Sequence, residues 1–451
     1  MLGLRSWDGI WPLALAVVIR LVAWAAIPAS RFASDEESYF QVASALLASG
    51  HQDLFWPPVT GWLIAISRWL LHTDSIAVIR LVWIALDVGC LLTFQALARR
   101  VAPAMSHGDP VRAARYTARA TISYAVYLPA IAHAQFTTSE TPALLQTLAI
   151  LLLLSRSDAG TRTLAGAGAL LGTLALTRPS LLPLLIWLPA AWARSTNNVS
   201  VALRRALIAV LIGSTVIGVA LYRNWALSGE ITISRNSAYN LHLGNQDVYA
   251  EDLNLFSPRA TLEQIEFRRR MWRGEAVVPE LSAAQFQRQA LDWIVSHPAV
   301  FARRAAGRLA RVFAPKTDVL ELAGGEQHTG VFSPVALLLL SVANLQWVVV
   351  LAGGLVGLTA LWRHRPDLGR LLLATVAGSL LLCLVAIAKP RYSFVFDPVL
   401  MLGAVACLTA PRETLARLQP ADRKVLLGIA AFLSWGWVAW LIFAVSSRPA
   451  L

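Results

Sequence analysis

The sequence reads as an all-α polytopic membrane protein of about eleven transmembrane helices, with interfacial helices and a loop domain outside the bilayer. Of its 451 residues, 57% are hydrophobic and 14% charged. An ordinary soluble domain is roughly a quarter charged, so this much apolar surface exceeds what one aqueous core hides. Nearly uncharged runs long enough to cross about 30 Å of hydrocarbon recur, among them 10–29, 76–98, 206–222, 337–361, 371–388 and 425–445. The net charge of +13 is spread through the gaps between these runs, as topology requires and as a nucleic-acid-binding face does not.

The first run follows Arg5 as a signal peptide would, but Arg31, an acidic cluster and a long apolar remainder come after it, so it reads as a retained span. The gap 99–119 carries five arginines and one aspartate, and 194–205 carries three arginines and no acid. Both read as cytoplasmic, and the basic gaps 156–162, 363–370 and 412–424 fit the same side. From a cytoplasmic N-terminus the count is consistent only if 57–71 does not cross. Pro57-Pro58 ahead of so short a segment marks it as interfacial or re-entrant.

The expected spans are then 10–29, 76–98, 118–135, 139–155, 163–177, 180–194, 204–222, 333–361, 370–388, 394–410 and 425–446. They divide the chain into a seven-span module over 1–222 with its first outer loop at 30–75, an outer loop region over 223–332, and a four-span module over 333–451. Within the loop region, 283–295 and 298–314 have helical periodicity. In the second, Phe301, Ala305, Leu309 and Val312 share one face and Arg303, Arg304, Arg308 and Arg311 the other. Such a helix lies in the interface with its arginines at lipid phosphates, or packs on the protein's own outer domain with solvated arginines. Cys90, Cys383 and Cys407 each sit alone in an apolar run and read as packing residues. Gly166-Ala-Gly168 lies within a span, and no Gly-x-Gly-x-x-Gly follows a strand, so no nucleotide cradle is visible. The Asn-x-Ser triplet at Asn198 is too common to weigh.

Four polar clusters fall on the outer side of this topology. SDEESYF, Ser34 to Phe40, sets Asp35, Glu36 and Glu37 against a membrane-length run. It is a solvated loop, or it joins an amphipathic helix over 39–48, a stop at Gly50 and the Pro-Pro helix into a floor with carboxylates at its edge. Partial desolvation there raises a carboxyl pKa, which suits a general base acting on a hydroxyl. Glu140, in QFTTSETPALL, fits the first turn of a helix behind Ser139, and also shares the face of Asp35 as a second acidic site. KPRYSFVFDP, Lys389 to Pro398, offers an ammonium and a guanidinium suited to a phosphate, or to snorkelling at a span end. The stretch 222–246 crowds Asn224, Asn236, Asn240 and Asn245 with Arg223, Arg235 and His242, groups that bind sugar hydroxyls or form turns.

In their order, SDEESYFQVASALLASG, FWPPVTGWLIA, SETPALL, LALTRPSLL, YRNWALSGEITISRNSAYNLHLGNQ, DWIVSHPAVFARRAAGRLARVFAP and KPRYSFVFDPVLML resemble the bacterial family-39, membrane-embedded GT-C glycosyltransferases. That group includes aminoarabinose transferases and protein O-mannosyltransferases. The resemblance implies a GT-C fold and a sugar donor carried on a polyprenyl phosphate. It implies inverting transfer to a glycan, lipid or protein acceptor at the periplasmic face of a bacterial inner membrane. It also implies an acid of the first outer loop as catalytic base, a role carried over to Asp35 with Glu36 as neighbour. The Asp-Glu-Glu run departs from the family's single acid and leaves the choice between the two open. The lipid phosphate falls to Lys389, Arg391, Tyr392 and Arg178, with Arg304 and Arg308 of the outer helix. The sugar or acceptor falls to Tyr39, Pro58, Asn224, Asn240 and Asn245.

No cofactor is expected. A divalent metal on Asp35, Glu36 and Glu140 is chemically feasible but not favoured, and the eight histidines lack zinc-ligand spacing. The expected partners are donor, acceptor and membrane lipids, without nucleic acid. A lipid-linked saccharide flippase is the competing reading, but transporters place ionisable groups near the midplane. Here Asp87 is the main internal acid, with Arg20 and Arg80 toward span ends. An O-antigen ligase or polymerase would instead centre a large outer loop on histidine and arginines.

Overall fold

A computed structural model describes residues 7–28, 32, 35–50, 53–106, 108–156, 159–194, 199–247, 253–272, 281–323 and 333–447; Arg5, Arg31, Ser34 and Asn198 lie outside them. Helices follow one another as α1 (Trp7–Ala26), α2 (Glu36–Ser49), α3 (Pro58–Leu71), α4 (Ile76–Met105), α5 (Pro110–Ala125), α6 (Leu128–His133), α7 (Glu140–Leu154), α8 (Thr161–Thr177), α9 (Leu184–Ala193) and α10 (Val199–Ser228). The outer region holds α11 (Arg235–Gly244), α12 (Leu262–Trp272), α13 (Ala283–Ser296) and α14 (Pro298–Val312). The chain continues through α15 (Pro334–His364), α16 (Pro366–Val385), α17 (Asp397–Thr409), α18 (Pro411–Ala416) and α19 (Pro420–Ser446). No strand occurs among the described residues.

By length and composition α4, α10, α15, α16 and α19 can each cross a membrane, and α1, α7, α9 and α17 carry shorter apolar helices. Every expected span falls on a helix or a helix pair, with differences that trace to proline. The third is broken into α5 and α6 at Val126-Tyr127, two residues before Pro129. The sixth and tenth begin as 3-10 turns at Pro179–Leu181 and Pro390–Val395, because proline fixes its own φ and excludes the α region for the residue before it.

The segment 57–71 forms α3, a helix of 14 residues, shorter than a span. It pairs with α2 over the outer end of α4, burying Tyr39, Phe40, Ala43, Ile64 and Ala65 against Ile79 and Trp83. Ile66, Trp69 and Leu70 stay exposed.

Two devices hold the long helices together. Small residues let α15 and α17 touch backbone to backbone: a Cβ on Gly357 would collide with the Gly403 carbonyl, and one on Gly354 would sit 2.6 Å from the Leu400 oxygen. Such close approach drives helix pairing where lipid removes the hydrophobic incentive. Between α1, α4 and α5, the fully buried Arg20 donates to Asp87 at 2.5 Å and to the Ala125 carbonyl at 2.7 Å, while Tyr124 donates to Asp87 at 2.7 Å. A charge in a span is tolerated when so paired, and Asp87 is thereby committed to the helix contact.

The outer helix α14 corrects an expectation. Gly307, Arg308, Ala310, Arg311 and Val312 are its buried residues, so two of the four arginines face protein and are neither at lipid phosphates nor solvated.

Candidate active-site cleft

At the outer end, the start of α2, the start of α7, the α8–α9 turn, α11 and the segment after α16 surround a cavity of about 470 Å³. Asp35 immediately precedes α2 and makes no side-chain cap to it, so its carboxylate is free to turn into the cavity. Glu140 is the first residue of α7 and is 2% exposed. Arg178 ends α8, where Pro179 forces it into an extended backbone. Pro390 does the same to Lys389, which turns the following Arg391 inward.

These side chains form one chain of charge. Arg391 donates to Asp35 Oδ2 at 2.6 Å, and its Nε lies 3.4 Å from Glu140 Oε1. Arg178 Nη1 reaches the same Glu140 oxygen at 2.8 Å and stacks 4.9 Å over the Tyr392 ring. Burial opposes the Arg391 charge, but Asp35 and then Glu140 outweigh it and hold its pKa well above the usual guanidinium range. Burial, helped by Asp35 and Glu140, pushes the Tyr39 hydroxyl up, so it stays neutral. Lys389 lines the cavity half-buried and forms no ion pair among the described residues. The two carboxylates differ: the Asp35 side chain is 32% exposed and Glu140 only 3%. Asp35 can meet a ligand; Glu140 is sealed between two guanidiniums.

One wall is apolar. Leu382 and Val385 at the end of α16, with Leu241 and Leu243, face Trp56, Phe55 and Tyr239. Backbone bonds from Arg235 and Asn236 to the Leu54 and Phe55 carbonyls, both 2.8 Å, tie this outer helix to the first loop.

The structure therefore brings Asp35, Tyr39, Glu140, Arg178, Asn240, Lys389, Arg391 and Tyr392 to one cavity, and gives the remaining candidates other work. Glu36 points away: it is fully buried, accepts from Arg80 at 2.7 Å, and takes both the N–H and the hydroxyl of Thr137 at 2.9 Å. Arg308 caps α16, donating to the Leu384 and Val385 carbonyls at 3.0 Å and to the Gly244 carbonyl. Asn245 donates to the Val385 carbonyl at 2.8 Å. These are the carbonyls a helix end leaves unbonded, and a cation there also suits the helix dipole. Arg304 donates to the Gln246 carbonyl at 2.5 Å and lies over Trp293. Asn224 donates to the Thr232 carbonyl at 2.7 Å. Pro58 is buried as the first residue of α3, and Pro57 takes the place on the cavity wall.

Sequence reasoning missed Lys316. Buried beneath the Pro390–Val395 turn, it donates to Asp397 at 2.7 Å and to Ser393, and lies 4.0 Å over the Trp347 ring. It fixes the turn that presents Arg391. Its only signal was rarity, as one of three lysines in the chain. Among the described residues no three His, Cys, Asp or Glu side chains converge as a metal site would require.

No protein-family model and no curated protein matches the sequence. Among solved structures the chain is similar to the oligosaccharyltransferase AglB from Archaeoglobus fulgidus in complex with an inhibitory peptide and a dolichol-phosphate, at 14% identity and a TM-score of 0.48 over 98% of this chain and 56% of that one. A complex of the Archaeoglobus fulgidus enzyme with Zn and sulfate gives 13% identity and a TM-score of 0.49, covering 97% and 53%. ArnT from Cupriavidus metallidurans in the apo state gives 15% and 0.36, covering 90% and 77%. The chain thus spans little more than half the length of the oligosaccharyltransferase.

Proposed function

We propose that this protein is a GT-C-type membrane glycosyltransferase that moves a sugar from a polyprenyl phosphate to a glycan, lipid or protein acceptor. The observation that carries the reading is the meeting of Asp35 and Arg391 in one cavity whose wall is the end of the apolar helix α16. A lipid-linked sugar phosphate needs these three things together: an apolar entry, cations for the phosphate, and an acceptor-facing base.

In the proposed reaction the acceptor hydroxyl or amine loses its proton to Asp35 as its lone pair attacks the anomeric carbon. The bond from that carbon to the phosphate oxygen breaks on the opposite face, so configuration inverts, and the electron pair leaves on polyprenyl phosphate. Arg391, Lys389 and Arg178 stabilise the charge that accumulates there, an effect strengthened by the low dielectric of the cleft. Tyr392 keeps Arg178 in place, and Tyr39 and Asn240 are assigned to the sugar or acceptor. Glu36 is left out as base because its oxygens are engaged by Arg80 and Thr137. No metal is assigned a step, since both cleft carboxylates are already held by guanidiniums. By the excess of arginine at the other end of the bundle, the cleft faces the periplasmic side of a bacterial inner membrane. A flippase is disfavoured because Asp87, the internal acid, is locked to Arg20.

The test gives purified protein in nanodiscs a panel of polyprenyl-phosphate sugars and scores hydrolysis or transfer. Asp35→Asn should lower the rate by about 10²–10⁴-fold, the usual contribution of a general base. Equal rates would remove Asp35 from that role.

A further inference from the structure

The end of the bundle opposite the cleft carries a second polar cavity, of about 270 Å³, between the last turn of α4, the first three turns of α5 and the end of α17. The helix α4 that separates it from the outer cleft has 30 residues, about 45 Å at 1.5 Å per residue. Arg112, Arg115 and Arg119 line this cavity. Their spacing of three and four residues keeps all three within about 60° of one face of α5. Arg112 is engaged by Glu413 at 2.9 Å. Arg115 and Arg119 make no ion pair or hydrogen bond among the described residues.

A second observation points inward. Ser106 lines the same cavity, is 3% exposed, and its hydroxyl has no hydrogen-bond partner among the described residues; the buried Thr409 hydroxyl also lacks one. A buried hydroxyl without a partner forfeits about 1–3 kcal/mol, so two such groups beside open guanidiniums describe a place that a hydrogen-bonding anion completes. Three guanidiniums against two carboxylates, Glu413 and Asp109, both on Arg112, leave a net positive charge that suits a phosphate. The N-terminal amides of α5 are not the attraction, because Asp109 already caps them. Arg417, donating to the Ala104 carbonyl at 3.4 Å, adds a further cation near the cavity.

We propose that this cavity binds a phosphate group, on an anionic phospholipid headgroup or as a free phosphate, with Arg115 and Arg119 as the charge partners and Ser106 and Thr409 as neutral donors. The site is independent of the outer cleft, and nothing in the proposed reaction requires it.

The test compares wild type with Arg115→Gln/Arg119→Gln and with Arg99→Gln/Arg100→Gln. The latter pair, at the same end of the bundle, lines a separate cavity with Arg156 and controls for net charge. Each protein is equilibrated in mixed phosphatidylcholine and phosphatidylglycerol nanodiscs, released, and its retained lipid counted by native mass spectrometry. In parallel, detergent-solubilised protein is titrated calorimetrically with inorganic phosphate. Wild type and the control should retain phosphatidylglycerol, and the Arg115/Arg119 variant should lose it by about tenfold or more. Saturable inorganic phosphate binding lost in the same variant, without selective lipid retention, would support the site with a soluble ligand. Wild type binding neither probe, or the control losing as much as the test variant, overturns the proposal. The replaced side chains are exposed, so unchanged elution and melting are expected. Ala410→Trp, which fills the cavity and leaves the arginines in place, should abolish binding too.

Discussion

Arg391 holds Asp35 at 2.6 Å across 356 residues of sequence, joining the loop before α2 to the turn before α17. In the proposed reaction these two groups serve opposite ends of the bond that breaks, yet before substrate arrives they serve each other. In that reaction a phosphate on Arg391 offers the guanidinium a third anion beside Asp35 and Glu140 and loosens its hold on Asp35. Glu140 stays in place behind both, pinned by Arg178.

This shared cation makes Arg391 sensitive to shape as well as charge. A guanidinium can span Asp35, Glu140 and a phosphate oxygen; an ammonium is a point donor. Arg391→Lys should therefore lower kcat by about 10²–10³-fold, the range seen when one preorganised donor to a developing charge is lost. The effect should fall on kcat more than on KM for the polyprenyl-phosphate sugar, because Lys389 and Arg178 still hold the ground-state phosphate. Steady-state kinetics of Arg391→Lys and wild type decide it, and a pure KM change would assign Arg391 to binding alone.

Glu140 and Asp35 should separate in a stability measurement. Glu140 is sealed among Arg178, Arg391 and the start of α7, and removing one member of a buried ion pair costs about 3–5 kcal/mol. Glu140→Gln should lower the thermal midpoint of the purified protein markedly and lose activity with it. Asp35→Asn, at a partly exposed position, should melt near wild type while losing turnover. Differential scanning fluorimetry on both, alongside the transfer assay, separates a positioning carboxylate from a reacting one.

The sequence grouped the candidate residues at one end of the molecule but did not say where their side chains turn. Counting spans against basic gaps groups Asp35, Glu140, Arg178 and Arg391 at one face, because antiparallel helices on short loops leave few alternatives. It could not say which side chain at a helix start looks inward. Asp35 and Glu36 are adjacent, but a step of one residue sends Glu36 to Arg80, 44 residues away in sequence. Arg308 and Asn245 looked like ligand groups because polar residues at an outer face do. Their use as a cap depends on where α16 ends, and that is set by tertiary contact. Lys316 was invisible for the same reason, its carboxylate partner lying 81 residues on.

His242 gives the outer region a pH response. It lies on α11, its ring 5.5 Å from Phe286 and its Nδ1 without a hydrogen bond among the described residues. Burial lowers its pKa below the ordinary imidazole value. The unfolded chain then binds the proton more readily than the folded one, so stability rises with pH through that window. Relative to His242→Gln, wild type should be at full stability above the ordinary imidazole pKa and lose it as pH falls below. Thermal midpoints taken from about pH 7 down to pH 5 should converge or cross for the two proteins; parallel curves would mean His242 is solvated.

Arg308 offers the sharpest choice between what its sequence context suggested and what its contacts show. As a phosphate ligand, its loss would raise KM for the donor and leave the fold intact. As the cap of α16, its loss strands the Leu384 and Gly244 carbonyls, while Val385 keeps Asn245, and each buried acceptor left without a donor costs about 1–3 kcal/mol. Arg308→Met, which keeps the stem and removes the donors, should therefore lower the thermal midpoint of the whole protein. Because α16 leads through Lys389 into Arg391, the surviving folded fraction should show a reduced kcat with KM little changed. Arg308→Lys should recover part of the stability, since a lysine reaches some of the same carbonyls. A variant with wild-type melting and a raised donor KM would return Arg308 to the lipid phosphate.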